Sequence, residues 1–548
     1  MSVTTRIRGA AWLVDSTPTE PVFTPERISE EHRLIRQTAD DFVANEVLPH
    51  VDRLEAKDWT FVRELVRKCA ELGLLGTDVP EEFGGLELDK VSSLIVSESV
   101  GALPSWAVTF GGQAGLSITP LLCFGTAEQK AKYLPRLVSG EVIGAYALSE
   151  TGSGSDALGA RCRATRQDEG HFLLSGEKMW ITNGGFAGFF TVFAKVDGEE
   201  FTAFLVERSF PGVSTGKEEH KMGLHGSSTV PLILQEVRVP AQNVLGEIGK
   251  GHKVAFNVLN YGRFKLGAMC SGQARTVIAD AAKYASERRQ FGRTLGEFGA
   301  IRYKLAEMTA RQYAVEAMLY RIAGLLDAAL SSMDVLAALE EFAVEASIVK
   351  VAGSEMLDYV VDENVQIHGG NGFVRDYAAE RHYRDARVNR IFEGTNEINR
   401  MLIPGMIARR GGVQVAEPDG TAVGAMRAAA TRALATATDQ YGKRLGDQQE
   451  VLMFAADAII ETFACDSVQL RAAAAEDPLH SAAAAIYVND AVGRVEIAAR
   501  NAFAAMGEAG AAELAELRTL MNVPPLNTIP LRHQVAETVL ARKKYPLA

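Results

Sequence analysis

The sequence contains few of the residues that build metal and disulfide sites. Its cysteines are scattered as Cys69, Cys123, Cys162, Cys270 and Cys465, with no CxxC pair that would indicate a zinc site or a disulfide framework. The 10 histidines include no HExxH motif, so the sequence does not support metal-dependent catalysis. This use of cysteine fits a reducing compartment, and we expect a cytoplasmic protein.

Positive charge is also scarce. The chain has 57 Lys and Arg residues against 69 Asp and Glu residues, which gives a formal net charge of −12. Broad, non-specific binding of nucleic acid needs a basic face that displaces counterions. We therefore expect no nucleic-acid partner, and a polyanionic ligand would have to be held by a few local arginines and lysines.

Long apolar runs are missing as well. No uninterrupted run approaches the roughly 18 residues that a membrane-spanning helix needs. The stretch "GAAWLV" near the N-terminus is too short for the core of a signal peptide. The sequence predicts a protein without an export signal that is soluble or at most peripheral to a membrane.

The chain has 548 residues, too many for one hydrophobic core, and this length predicts about two to four domains. Helical periodicity gives way to short alternating strands near Gly144 and resumes after Gly251. The predicted fold class is mainly α with a central β-domain. The predicted parts are an N-terminal extension (1–27), a helical domain (28–143), a β-domain (144–245), a helical-bundle domain (246–410), a linker (411–419) and an additional helical domain (420–548).

Two glycine-rich stretches resemble nucleotide-binding motifs but fail on spacing. In "ETGSGSDALG" the third glycine, Gly159, comes two places late for GxGxxG, and no βαβ pattern surrounds it. "GEIGKGHK" lacks both the Walker spacing and the Ser or Thr after its lysine. We therefore exclude a Rossmann dinucleotide site and a P-loop.

Five other segments each combine glycines that expose the backbone with small hydroxyls or aromatic rings. They are "AYALSETGSGSD" (145–156), "KMWITNGG" (178–185), "ERRQFGR" (287–293), "QIHGGNGF" (366–373) and "IFEGTNEI" (391–398). Together and in this order they resemble the acyl-CoA dehydrogenase family of flavoproteins, over about residues 28–410. The additional C-terminal helical domain is most similar to the very-long-chain branch. The resemblance implies an N-terminal helical domain, a β-barrel-like middle domain and a four-helix bundle.

The resemblance also implies a bound FAD and the residues that hold it. The flavin ring would contact Tyr146, Leu148, Ser149, Gly154, Ser155, Trp180 and Thr182. The rest of the cofactor would contact Arg288, Gln290 and Phe291 of a neighbouring subunit, and Gln366, Gly369, Gly370, Thr395 and Glu397. The functional unit would then be at least a homodimer. From the residues alone, Trp180 could instead be a core aromatic and Ser149 a turn residue, and the charged stretch around Arg288 is more typical of a solvated helix face.

Glu393 would be the catalytic base in this family, removing the α-proton of an acyl-CoA thioester, with Gly394 beside the substrate. The residues themselves allow a second interpretation, in which Thr395 or Asn396 caps the following helix. Some branches place the base on another helix, at a position that is Gly262 here, so that position offers no rival carboxylate.

The remaining substrate contacts implied by the resemblance are Ser155, Asn260 and Arg263. The family often has Asp where Asn260 stands, and Arg263 could instead form an ion pair on a helix surface. Gly111 and Gly112 fall near the pocket floor of medium-chain relatives, and their missing side chains favour a long acyl chain. Electrons would pass to an electron-transferring flavoprotein. The alternatives are an oxidase that uses O₂ and a flavin-containing protein that serves in binding or assembly without catalysis.

Overall fold

The structure, a computed structural model, describes residues 8–14, 22–167, 170–410 and 413–547. Parts of the predicted N-terminal extension and of the predicted linker lie outside the described residues. The chain divides into two compact units, an N-terminal unit, Glu30–Lys265, and a C-terminal unit that combines Met1–Ser29 with Leu266–Ala548. This division differs from the domain boundaries suggested by the change in periodicity, because it cuts within a single long helix.

Helices form the first part of the N-terminal unit. They are α1 (Glu30–Phe42), α2 (Val51–Glu55), α3 (Trp59–Glu71), α4 (Lys90–Val100), α5 (Pro104–Gly111), α6 (Ile118–Phe124) and α7 (Ala127–Val138). Local sequence sets where several of them begin. Asp58 and Asp89 accept hydrogen bonds from the backbone amides of the first turns of α3 and α4. Thr126 and Gln129 form a reciprocal capping box at the start of α7.

One described helical stretch, Pro104–Phe124, is long and apolar enough to cross a membrane by length and composition alone. It consists of α5, a π-helical segment (Gly112–Ser117) and α6. It contains no uninterrupted apolar run of that length, because Thr109 and Gln113 lie within it. Both polar residues are completely buried, and 67% of the stretch's most apolar window is buried inside the protein. That burial is what a core helix of a folded domain shows.

The β-domain follows and contains one sheet. Its strands are β1 (Gly144–Ala147), β2 (Arg163–Gln167), β3 (His171–Thr182), β4 (Phe189–Val196), β5 (Glu200–Glu207), β6 (Val213–Thr215), β7 (Thr229–Pro240) and β8 (Val244–Leu245). The strand order is β6-β7-β3-β2-β4-β5-β8, and β1 pairs with β4. The β1 and β2 pairings with β4 are parallel, and the other pairings in this sheet are antiparallel.

Strand β4 is buried on both of its faces. Its sequence "FFTVFAKV" is apolar almost throughout, which indicates burial on both faces. Phe190 and Val192 belong to the core inside the sheet. Phe189 and Phe193 face the other way, into a core that includes Leu121 of α6 and other residues of α6 and α7. The sheet is therefore covered by helices on one face.

The C-terminal unit is almost entirely helical. Its elements are α8 (Gly251–Glu287, which begins in the N-terminal unit), the hairpin β9 (Arg289–Gln290) and β10 (Arg293–Thr294), α9 (Gly299–Leu330), α10 (Val335–Glu341), α11 (Ala343–His368), α12 (Ala378–Ala386), α13 (Asn396–Arg409), α14 (Ala422–Tyr441), α15 (Gln449–Ala475), α16 (Pro478–Ala505), α17 (Glu508–Leu520) and α18 (Ile529–Arg542). The predicted fold class, mainly α with a central β-domain and an additional helical domain, is confirmed.

We call the additional helical domain, residues 420–548, the annex.

Helix α9 carries an apolar stripe, spaced at three and four residues, that Gln312 interrupts. The members of the stripe from Leu305 to Ile322 are buried, as expected of a core face. Gln312 is equally buried, and its amide nitrogen donates a hydrogen bond to the hydroxyl of Ser271 on α8 at 2.7 Å. This hydrogen bond satisfies the amide nitrogen of Gln312 inside the core.

A buried ion pair ties the annex to the helical bundle. Arg471 of α15 is completely buried and donates to Glu316 of α9 at 2.6 Å, to Glu26 at 2.9 Å and to the carbonyl oxygen of Leu547 at 2.5 Å. Burial opposes ionisation of Glu316, but Arg275 and Arg471 outweigh it and lower the pKa of its carboxyl. A single guanidinium therefore holds three separate parts of the chain.

We expect Arg471→Ala to destabilise the C-terminal unit by about 3–5 kcal/mol, because the substitution leaves the Glu316 carboxylate buried without this partner. The measurement is thermal unfolding of the full-length protein. The matched control is Arg432→Ala in α14, whose more exposed ion pairs with Glu513 and Glu516 should contribute less than about 1 kcal/mol. Equal losses of stability in the two variants would contradict the assigned role of Arg471.

Candidate active site

The loop after β1 presents one group of predicted site residues, and a buried carboxylate fixes its shape. Glu150 accepts hydrogen bonds from the backbone amides of Arg161 at 2.7 Å and Cys162 at 3.1 Å. It also accepts from the ammonium of Lys178 on β3 at 2.6 Å. Burial alone would raise the pKa of Glu150, but Lys178 and the two amides lower it overall. The carboxylate is thus held ionised beneath the loop.

Lys178 extends this support to the neighbouring backbone. Its side chain is fully buried, and its ammonium also donates to the carbonyl oxygen of Leu148 at 3.2 Å. The amide of Met179 donates to the carbonyl oxygen of Ser149 at 2.9 Å. Sequence reasoning missed Lys178, although a signal was present. Strand alternation places it on the same face as the buried Leu174, where a charge needs a partner.

Trp180 is on the surface rather than in the core. The register of β3 against β7 shifts between Lys178 and Ile181, and Trp180 has a left-handed backbone with φ of 56°. A β-bulge of this kind re-aims a side chain. The indole is 58% exposed, so the interpretation of Trp180 as a core aromatic is wrong.

The other predicted flavin contacts lie on the same unit as Trp180. Tyr146, Leu148, Ser149 and Thr182 are half-buried, whereas Gly154 and Ser155 are exposed. A Cβ atom added to Gly154 would have no atom within 4 Å, so another molecule can approach its backbone. The ring of Tyr146 packs edge-on against Phe193 at 5.1 Å between centroids. The surface thus offers an indole, small hydroxyls and open backbone.

Gly112 has a structural reason to lack a side chain. A Cβ atom there would lie 2.8 Å from the amide nitrogen of Asn183 and 3.3 Å from a methyl carbon of Thr182. The glycine permits the π-helical segment to approach β3. Gly111 is half-buried at the end of α5. The missing side chain of Gly112 is therefore explained by packing, and it provides no support for extra room in a pocket.

Asn260 and Arg263 lie on the part of α8 that belongs to the N-terminal unit. Both are buried, at 8% and 5% exposure, and the guanidinium of Arg263 donates to the side-chain oxygen of Asn260 at 2.9 Å. Arg263 is therefore buried and does not lie on a solvent-exposed helix surface. The side-chain oxygen that the family's Asp would also supply is used here to position the arginine.

In the C-terminal unit, Glu393 occupies the short segment between a 3₁₀ turn (Arg387–Arg390) and α13. Glu393 and Gly394 have left-handed backbones, with φ of 57° and 80°. This conformation costs a residue other than glycine about 1–2 kcal/mol. Glu393 is half-buried, and its Oε2 atom is inaccessible to solvent. A strained acidic residue at a loop is the kind of feature that concentrates at functional sites.

Neighbouring side chains hold this backbone in place. The hydroxyl of Thr395 accepts the amide of Ile398 at 3.2 Å and so caps α13, which confirms the cap interpretation for Thr395. The completely buried Asn399 donates to the carbonyl oxygens of Gly394 at 2.9 Å and Thr395 at 3.0 Å. The cap thus uses the hydroxyl of Thr395 rather than the carboxylate of Glu393.

Glu397, a predicted cofactor contact, is exposed in the first turn of α13. Its carboxyl lies at the helix N-terminus, where a hydrogen bond to its own backbone amide lowers its pKa. The ionised form is therefore favoured at this position.

The predicted cofactor contacts of the hairpin are strongly exposed. Phe291 and Gly292 form the tip between β9 and β10, with φ of 51° and 79°, a pair of left-handed residues typical of a tight type I′ turn. The ring of Phe291 is 93% exposed, and Arg288 and Gln290 are exposed beside it. A phenylalanine on a strained turn and in full contact with water indicates a surface that contacts another molecule.

The predicted contacts at the end of α11 are also open. Helix α11 ends at His368, and Gln366, Gly369 and Gly370 are exposed. A Cβ atom on either glycine would have no atom within 4 Å. His368 stacks on Tyr284 of α8 with 4.0 Å between ring centroids, which anchors the segment.

Family models match the chain along most of its length. They are the acyl-CoA dehydrogenase N-terminal domain (residues 29–141), the middle domain (145–237), the C-terminal domain (249–407) and a further acyl-CoA dehydrogenase C-terminal domain (428–522). The last match covers much of the annex.

Known proteins agree with these matches. The chain is 41% identical to a probable acyl-CoA dehydrogenase of Bacillus subtilis over 98% of each chain. It is 42% identical to the very long-chain specific mitochondrial enzyme of Macaca fascicularis over 64% of this chain, and spans about half of that relative, 53%. A crystal structure of an acyl-CoA dehydrogenase complexed with FAD from Bacillus anthracis has a TM-score of 0.95 at 42% identity, covering 98% of this chain and 100% of that one. The chain belongs to the acyl-CoA dehydrogenase family.

Proposed function

We propose that the protein is an FAD-dependent dehydrogenase that converts long-chain acyl-CoA to trans-2-enoyl-CoA, with Glu393 as the base. The observation that carries this proposal is the backbone at Glu393. Its left-handed conformation is held by the cap at Thr395 and by the hydrogen bond that Asn399 donates to the carbonyl oxygen of Gly394. In a family that acts on acyl-CoA, a carboxylate presented in this way is suited to removing the α-proton.

The residues of the chain fit FAD. Trp180 offers a flat apolar surface, and Ser149, Ser155 and Thr182 offer hydroxyls suited to the polar edge of a flavin ring. The exposed guanidinium of Arg288 suits a diphosphate, and the open backbone at Gly369 and Gly370 permits close approach. When bound, FAD would accept the hydride that leaves the β-carbon of the substrate.

Protein groups would supply the rest of the chemistry. The Glu393 carboxylate takes the proton from the α-carbon, so that the α–β carbon bond becomes double once both hydrogens have left. The backbone N–H of Glu393 donates to the thioester oxygen, whose negative charge grows as the proton leaves. Gly394 keeps this side of the thioester uncrowded. Arg263, oriented by Asn260, attracts the negatively charged CoA portion.

The preference for a long acyl chain rests on relatives rather than on a pocket floor. The very long-chain specific enzyme is 42% identical to this chain, and a family C-terminal domain model matches residues 428–522. Gly112 packs against β3, so its missing side chain is no argument for a longer acyl pocket.

The proposal includes two protein partners. The exposed ring of Phe291 would be covered by a second copy of the chain, to whose cofactor Arg288 and Gln290 would contribute. An electron-transferring flavoprotein would remove the electrons after each turnover. We also propose that the protein works in the cytoplasm and meets a membrane at most peripherally.

We expect Glu393→Gln to abolish the anaerobic bleaching of the flavin by palmitoyl-CoA, with a rate at least about a hundredfold lower, because the amide cannot accept the α-proton. The yellow protein and its flavin content should be unchanged. The control is Glu450→Gln, an exposed carboxylate in the first turn of α15, which should bleach at the native rate. Retained bleaching in Glu393→Gln would refute the role of Glu393.

The chain-length preference is measured by steady-state turnover with a graded series of saturated acyl-CoAs. We expect kcat/KM to be highest for palmitoyl-CoA and its neighbours, since each buried methylene adds about 0.8 kcal/mol of apolar stabilisation. Highest turnover with butyryl-CoA or octanoyl-CoA would contradict the long-chain preference. Stoichiometric peroxide from the purified protein would indicate an oxidase.

Replacement of the exposed ring tests the dimer. We expect Phe291→Asp to shift the protein from dimer to monomer in analytical ultracentrifugation and to lower its FAD content, because a buried unpaired carboxylate is costly. The control is Ile529→Asp on α18, where the native side chain is 60% exposed. A dimer with full FAD content in the Phe291 variant would exclude this surface as the subunit contact.

A further inference from the structure

One arginine of the helix that follows Glu393 forms hydrogen bonds to both the bundle and the annex. Arg400 of α13 is 13% exposed at its side chain and donates to both carboxylate oxygens of Glu355 on α11, at 2.6 and 2.9 Å. Its Nε atom donates to Asp457 of α15, in the annex, at 2.7 Å. The fork of the guanidinium thus faces the bundle, and its remaining N–H faces the annex.

Glu355 connects Arg400 to the first residue of α13. Its Oε1 atom also accepts a hydrogen bond from the side-chain nitrogen of Asn396 at 3.0 Å. Asn396 is 2% exposed, and its side-chain oxygen accepts from the ammonium of Lys350 at 2.6 Å. Arg400 and Asn396 therefore share one acceptor, and a displaced guanidinium would change the hydrogen bonding of the residue that opens the helix.

The first turn of α13 in turn determines the backbone at Glu393. Asn399 lies beside Arg400 in sequence and donates to the carbonyl oxygen of Gly394 at 2.9 Å. Glu393 holds a left-handed conformation, which in a residue other than glycine persists only where the surroundings over-determine it. A helix N-terminus that is free to shift would relax this segment.

We propose that Asp457 is a positioning residue for Glu393, so that the annex holds the catalytic segment in its active conformation through Arg400. This inference rests on the proposed function of Glu393 as the base. It gives the annex a role in the reaction in addition to packing. Asp457 contacts neither substrate nor cofactor and acts through Arg400, Glu355 and Asn396.

The chain offers a matched control for Asp457. Glu461 lies one helical turn later on α15 and, like Asp457, accepts an arginine Nε at 2.7 Å, here that of Arg494 on α16. Both carboxylates line the same cavity of about 410 Å³. The Glu461 pair joins two annex helices to each other, whereas the Asp457 pair joins the annex to α13.

The experiment compares Asp457→Asn with Glu461→Gln in the full-length protein carrying FAD. In Asp457→Asn we expect hydrogen exchange of the segment from Arg390 to Asn399 to become about tenfold faster, since the segment opens more readily. The rate of anaerobic flavin reduction by palmitoyl-CoA should fall about tenfold, because the base is misplaced. The KM should change less than about twofold. Glu461→Gln should leave all three quantities within about twofold of native.

Native exchange and native reduction in a folded Asp457→Asn protein would overturn the proposal. So would the same losses in Glu461→Gln, because they would show a general loosening of the annex. Should Asp457→Asn fail to fold, Arg400→Lys is measured in the same way, since lysine keeps the charge but cannot bridge both acceptors. Failure of the proposed function would be seen separately, as retained flavin bleaching in Glu393→Gln. The comparison of hydrogen exchange between Asp457→Asn and Glu461→Gln does not depend on that result.

Discussion

The left-handed backbone at Glu393 and Gly394 is the constraint on which the function of the helical unit depends. Glycine adopts this conformation freely, but glutamate does so at a cost. The cost is sustained because Asn399 fixes the carbonyl of Gly394 and Thr395 begins the next helix. An acidic side chain that simply capped a helix would need neither the strain nor a dedicated, fully buried asparagine.

The same arrangement occurs elsewhere in the chain, where buried charges shape backbone segments. Glu150 and Lys178 hold the loop after β1, as Arg400 and Glu355 hold the start of α13. Removing charges from water is costly, so such pairs are weak evidence for stability. Their directional hydrogen bonds are better suited to selecting one loop conformation. In both places the fixed segment is one that the family motifs had singled out.

Much of the fold could be predicted because its signals are local. Helical periodicity and strand alternation each depend on neighbours in sequence, and the predicted change from helices to strands near Gly144 and back to helices after Gly251 agrees with the structure. The short strands β2, β6 and β8 were not predicted, since two to five residues carry too little periodicity. Gly112 was misleading for a related reason. Whether a glycine leaves a space or permits close packing depends on Asn183, which is distant in sequence.

The sequence motifs identified the candidate site residues. They did not identify the backbone geometry and hydrogen-bond partners that hold those residues in place. The exposure of Trp180 depends on a bulge in β3, and a bulge has no sequence signature strong enough to separate it from regular alternation. Asp457 could not be found at all from sequence. Its significance comes from one hydrogen bond to Arg400, across 57 positions of chain. Partnerships of this kind follow from tertiary packing alone.

Two further carboxylates show how firmly the annex and the bundle are joined. Glu345 of α11 is buried and accepts the amide of Ala10 at 2.6 Å and the indole of Trp12 at 2.9 Å, and the Trp12 ring packs on Phe463 of α15 at 4.5 Å. Burial raises the pKa of Glu345 despite these donors. Glu316 is linked in a similar way to the segment around Leu547, because Arg471 donates hydrogen bonds to both the Glu316 carboxylate and the Leu547 carbonyl oxygen. An annex that is tied to the bundle at both places can hold Arg400 at a constant distance, which a loosely tethered domain could not do.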